Sequence, residues 1–295
     1  MGVNVLELAS KVHKEYQQIM VSNIPILLAG TKWENTIKHF ERPGQLFEHE
    51  EKYGIGATCA EIALDHTYNE EFGSIGEVLL QRLESVFNPY HLIPYVVLDD
   101  GRVLVNDHGF MFDDTVVVPT QGEGSYVDEK YGDIKPIIVP KVVREGDEIE
   151  VQMQYSLMDF GRGLKFKDLY SFDPSQSQSA DELRGLLDEA YESIDFISLQ
   201  RRCVDEDGTP YLLKCMPYGG TGEYCVTKVK VDDAKTIRNV KDIESFEQFC
   251  ELFGIKDEGK EMIMAANDEL ISRRTDERVI RDIREVWDEQ YRLEN

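Results

Sequence analysis

The segment Gly54-Ile55-Gly56-Ala57-Thr58-Cys59-Ala60-Glu61-Ile62-Ala63 sets a thiol where a glycine-containing turn runs into a helix-forming stretch. A helix N-terminus leaves N–H groups unpaired and carries partial positive charge, which favours a thiolate over a thiol. A thiolate is a nucleophile, and it gains from a neighbouring histidine that is itself oriented by a carboxylate or an amide. The question is then which of the six histidines, His13, His39, His49, His66, His91 and His108, can reach Cys59.

His91 opens "HLIPYVVLDDGRVLVNDHGF", two apolar runs around Asp99-Asp100-Gly101, a hairpin signal. A three-residue loop with Gly101 in the left-handed position pairs Leu98 with Arg102 and, further along, Ile93 with Asp107 and His91 with Gly109. Side chains alternate along a strand, so His91 and Asp107 then share a face. A two-residue loop shifts the register by one and brings Asn106 to that face instead. An amide can also orient a histidine, so Asp107 is preferred and Asn106 stands second. His66 lies two helical turns beyond Cys59, too far for a direct hydrogen bond, and His108 faces away from Asp107.

These residues need elements to hold them. Residues 1–87 read mostly as a helical bundle carrying the nucleophile, from "VLELASKVHKEYQQIM" through the amphipathic stretch "SIGEVLLQRLESVF". Residues 88–180 turn to short strands, "TVVVPT", "IKPIIVPKVV", "EIEVQMQYSLM" and "LKFKDLYSF", which predict an antiparallel β-barrel carrying His91 and Asp107. A polar Gln/Ser run at Ser175–Ser179 leads to an α/β segment over 181–256, ending in the helix "DIESFEQFCELFGI". Residues 257–295 are charged and helical, with an apolar stripe at Val279, Ile280, Ile283, Val286, Trp287 and Tyr291.

The chain has 295 residues, 41% of them hydrophobic, enough for more than one core. Its net charge of −25 disfavours nucleic acid and anionic membrane surfaces as partners. No run approaches the ~18 apolar residues of a membrane span, and the N-terminus lacks the apolar core of a signal peptide. The five cysteines show no CxxC spacing, so neither a disulfide framework nor a metal site is expected, and free thiols fit the cytoplasm.

In this order and setting, Cys59, His91 and Asp107 resemble the arylamine N-acetyltransferase family. The family's Arg-Gly-Gly-x-Cys-x-Glu-x-Asn motif is met at Gly56, Cys59 and Glu61, and its Asp-Val-Gly-Phe-Gly motif at Asp107, Gly109 and Phe110. "KDLYSFDPS" and the terminal Phe-Gly-Ile of "DIESFEQFCELFGI" are similar to later family segments. The resemblance implies an α+β fold of helical bundle, β-barrel and α/β lid. It implies Cys59 as the acyl-carrying nucleophile, His91 as its base, Asp107 as the residue orienting His91, and Phe110 in the acceptor site. The acyl donor would be acetyl-CoA and the acceptor a small-molecule arylamine or hydrazine. The sequence departs from the family at Ile55, Ala57, Ala63 and Met111, where the family carries Arg, Gly, Asn and Gly.

Within the same fold, an amide synthase would transfer a larger acyl group, and a cysteine hydrolase would transfer to water. A non-catalytic descendant would keep the fold alone. There is no obvious basic cluster for the phosphates of CoA, with Lys214, Lys228 and Lys230 as the strand lysines available.

Overall fold

The computed structural model of the chain describes residues 4–28, 44–83, 91–109, 112, 114–124, 126–127, 137–145, 148–159, 163–179, 182, 194, 196–204, 206, 210–217, 224–230, 237–239 and 245–273. In chain order the elements are α1 (Val5–Tyr16), β1 (Val21–Ser22), α2 (Ile24–Leu27), α3 (Gln45–Tyr53), α4 (Cys59–His66), α5 (Glu70–Gly73), β2 (Val78–Leu83), β3 (His91–Val97), β4 (Val103–Val105), β5 (Val116–Val118), β6 (Gly122–Glu123), β7 (Tyr126–Val127), β8 (Ile137–Glu145), β9 (Glu148–Asp159), β10 (Gly163–Phe172), β11 (Leu199–Val204), β12 (Pro210–Pro217), β13 (Tyr224–Lys230), β14 (Ile237–Asn239), α6 (Phe246–Phe253) and α7 (Asp257–Ser272).

One compact unit is made of Met1–Gln17, Glu41–Pro43 and Cys59–Leu187. It contains two antiparallel sheets, ordered β2-β3-β4-β5 and β10-β9-β8-β6, with β7 also paired to β8. Their facing sides share a core in which Ile93, Tyr95, Val103 and Val105 of the first sheet meet Met153 and Phe172 of the second. β5 lies against β8 and β10 against β2. No ladder crosses either seam among the described residues, so the expected barrel is here two open sheets that meet at both edges. The strands at the β5–β6 corner are only three and two residues long, which leaves little backbone to bridge the sheets.

Strand β2 departs from the helical reading of "SIGEVLLQRLESVF". Leu79 and Leu83 face the core between the sheets, while Leu80 joins Ala60, Ala63 and Leu64 of α4 and Leu92 of β3 on the other side. A strand covered on both faces shows no alternation of apolar and polar residues, so its sequence resembles a helical stripe. Positions 60, 63 and 64 are one helical face, and they seat α4 on the sheet beside the start of β3.

The other unit is made of Gln18–Phe40, Gly44–Thr58 and Asp188–Asn295. Its sheet runs β1-β11-β12-β13-β14, and α2, α6 and α7 pack with it in a core that includes Leu27, Leu213, Cys215, Phe249 and Phe253. Ser245 caps α6 by accepting from Gln248 N–H, and Gly254 ends it at φ +69°. Met262, Ile263, Ala266 and Leu270 of α7 are buried in the same core, so the start of the charged C-terminal segment is part of this unit's interior. The apolar stripe at 279–291 lies outside the described residues. Among the described residues no helix is long and apolar enough to cross a membrane.

Candidate active site

The hairpin decides the site. Val97 pairs with Val103, Val96 with Leu104 and Tyr95 with Val105. Leu98 N–H donates to Arg102 O (2.8 Å), and Gly101 stands at φ +83°. This is the register of the three-residue loop. Ile93 and Tyr95, like Val103 and Val105, face the inter-sheet core. By the same parity His91 and Asp107 continue these two rows past the ladder's end. There the His91 Nε2–H donates to Asp107 Oδ2 at 2.9 Å, with both side chains buried. Asn106, the alternative partner, points elsewhere, its Oδ1 accepting from Thr115 Oγ1 (2.7 Å).

With Nε2 turned to Asp107, the other ring nitrogen of His91 is left for the thiol, and Nδ1 of His91 and Cβ of Cys59 border the same point beside Gly109. Gly109 explains how the rings and backbone fit. A Cβ on Gly109 would stand 2.4 Å from His91 Cε1, 2.8 Å from Nδ1 and 3.0 Å from Cys59 Cβ. Only a residue without a side chain allows the backbone to pass there. Cys59 is the first residue of α4 and is half-buried, while Glu61 in the same first turn is buried.

Burial alone would strip the proton from His91, but the charge and hydrogen bond of Asp107, with a further contribution from Cys59, outweigh it. They hold the imidazole pKa up at about 10. The site is therefore built to keep a proton on His91.

Sequence reasoning did not find Tyr170. From β10, its hydroxyl donates to Asp107 Oδ2 at 2.7 Å. Burial, then the Asp107 charge, pushes its pKa well above 10, so it remains a donor. Its ring also lies 5.4 Å from that of His91. Its only signal in the sequence was its place in the aromatic strand "KDLYSF". Phe110 and Met111 lie outside the described residues.

The residues that precede Cys59 in the chain, Gly54–Thr58, belong to the other unit. Gly56 takes φ +73°, and a Cβ there would lie 2.0 Å from Met20 O. Its N–H donates to Glu50 Oε2 (2.8 Å), and Arg201 pairs with the same carboxylate. Ile55, where the resembled family carries arginine, is wholly buried in this unit's core. Of the three lysines considered for phosphates, Lys214 and Lys228 project from opposite faces of the sheet, as their register requires. Lys228 lies over the Tyr211 ring at 3.8 Å. Among the described residues no group of histidine, cysteine and acidic side chains could hold a metal ion.

No protein-family model matches the sequence, and no curated protein does. Solved structures do. The arylamine N-acetyltransferase of Mycobacterium abscessus superposes with a TM-score of 0.54 at 12% identity, covering 90% of this chain and 88% of that one. The arylamine N-acetyltransferase of Nocardia farcinica gives 0.53 at 16% identity, covering 92% and 89%. At such identities the likeness is one of fold, and it extends over nearly the whole of each chain.

Proposed function

We propose that this chain, built on the fold seen in arylamine N-acetyltransferases, is a cysteine acyltransferase that carries its acyl group on Cys59. The observation that carries the reading is the buried, hydrogen-bonded Asp107–His91 pair beside a half-exposed thiol at a helix start. Cys59 is the nucleophile, His91 the base, Asp107 the residue that orients His91. Phe110, next in sequence to Gly109, contributes to the acceptor site.

The steps follow from where the protons can go. At the start His91 Nδ1 already holds the proton given up by the Cys59 sulfur, and that sulfur attacks the carbonyl carbon of acetyl-CoA. The bond from that carbon to the CoA sulfur breaks, and the leaving thiolate takes the proton from His91. An arylamine or hydrazine nitrogen then attacks the Cys59 thioester. Neutral His91 accepts the amine proton, the carbon–sulfur bond to Cys59 breaks, and the starting proton distribution returns. Ile55, Ala57, Ala63 and Met111 stand where the family carries Arg, Gly, Asn and Gly, so the acyl donor is tested first.

The experiment is intact mass after mixing with acetyl-CoA, for wild type and Cys59→Ala together. An acetyl adduct on wild type alone, discharged by an arylamine or a hydrazine, is the expected result. Adduct formation from a reactive aryl ester but not from acetyl-CoA would move the donor to another acyl carrier. Discharge at the same rate with and without amine would make the protein a hydrolase. No adduct from either donor would overturn the enzyme reading.

A further inference from the structure

Helix α1 carries a polar stripe that the proposed chemistry does not use. Ser10, His13, Lys14 and Gln17 recur at helical spacing, and each reaches the segment returning from Asp107. Ser10 Oγ donates to Asp114 Oδ2 at 2.9 Å, and Lys14 Nζ lies 3.3 Å from the same oxygen. Both of these contacts are partly exposed, and an exposed ion pair contributes little. The other two converge on one atom: His13 Nε2–H and Gln17 Nε2–H donate to the carbonyl oxygen of Phe112 at 2.8 and 2.9 Å. That carbonyl has two lone pairs, and the two donors fill both. The wholly buried His13 ring also stacks on His108, with centroids 4.4 Å apart. His108 stands between Asp107 and Gly109 in the chain.

Asp107 and Gly109 follow the end of β4 and have no ladder of their own to fix them. Yet Asp107 must meet His91 at hydrogen-bond distance, and Gly109 has no room to move toward His91 or Cys59. Such tolerances need support from outside the loop. We propose that His13, together with Gln17, is a positioning element for this loop, acting on the chemistry through the placement of Asp107 and Gly109 rather than by touching substrate. This inference rests on the acyltransferase reading above for its kinetic consequence, but its structural consequence is readable without any turnover.

The test compares wild type, His13→Ala/Gln17→Ala and His13→Gln, the last keeping a donor of similar reach. The first readout is the titration of the His91 ring in folded protein, followed by ring nitrogen NMR. The second is acyl transfer at saturating and limiting acyl donor. In the double variant the His91 midpoint is expected to fall by about one pH unit or more, because Asp107 is no longer held against it. kcat is expected to fall about tenfold or more with KM unchanged, and His13→Gln to recover most of both. A double variant that melts earlier but keeps the wild-type His91 midpoint and kcat would overturn the proposal, since that is what plain helix packing produces. If the double variant does not fold, Gln17→Ala alone must lower the midpoint by a smaller step, and its failure to do so overturns the proposal equally. Wild type that forms no acyl-enzyme would sink the acyltransferase reading while leaving the His91 midpoint to judge His13.

Discussion

His91 and His66 belong to the same unit and are both buried, yet the fold drives them in opposite directions. His66, the last residue of α4, donates Nδ1–H to Ile62 O (2.8 Å) and stacks against Tyr16 at 3.9 Å. With only a carbonyl in support, burial, helped by nearby His13, pushes its pKa down to about 3. His91 suffers the same burial but faces Asp107, and its pKa is held up at about 10. The difference between a packing histidine and a working one is thus not exposure but a carboxylate at 2.9 Å, itself held by Tyr170.

Breaking that carboxylate should convert one histidine into the other. Asp107→Asn is expected to bring the His91 titration below its ordinary value and to lower acyl transfer about 10²–10⁴-fold. Ring NMR and single-turnover acyl transfer check both, and an unchanged His91 midpoint would dissolve the comparison. Gly109→Ala leaves every polar group in place but drives a methyl into His91. It should destabilise the unit by about 1–3 kcal/mol in denaturant unfolding and displace the ring enough to reduce transfer at least about tenfold. Tyr170→Phe removes one donor to a charged acceptor and should destabilise the unit by about 1.5–3 kcal/mol in denaturant unfolding.

Stability against pH should respond with opposite signs at the two residues. An unfolded histidine takes its proton near 6.5, whereas folded His66 resists until about 3. Stability is therefore lost as pH falls from 6.5 toward 3, and His66→Phe should flatten that part of a melting-temperature profile. His91 contributes stability that is fully present below about 6.5 and is lost as pH rises through about 10. The alkaline decline should disappear in Asp107→Asn, and a decline that persists there would assign it to other groups.

Much of the site was legible because it depends on local rules. Gly101 after two aspartates marks the hairpin loop, parity along the strands follows from the pleat, and a thiol behind Gly56 marks a helix start. Those rules left Asp107 and Asn106 both open, and the choice fell to which register the completed sheet adopts. Strand β2 was hidden because both its faces are covered, which removes the alternation that announces a strand. Tyr170, His13 and Gln17 were hidden for a different reason. Their roles lie in partners 63, 99 and 95 positions away, and no periodicity encodes such a meeting. By itself, then, the sequence determined which residues could do chemistry and how the hairpin alternates. Only the packing of β10 and α1 around the loop decided that the carboxylate of Asp107 has a second donor and its loop a fixed place. Local geometry is set by neighbours in the chain, whereas burial and electrostatics are set by neighbours in space.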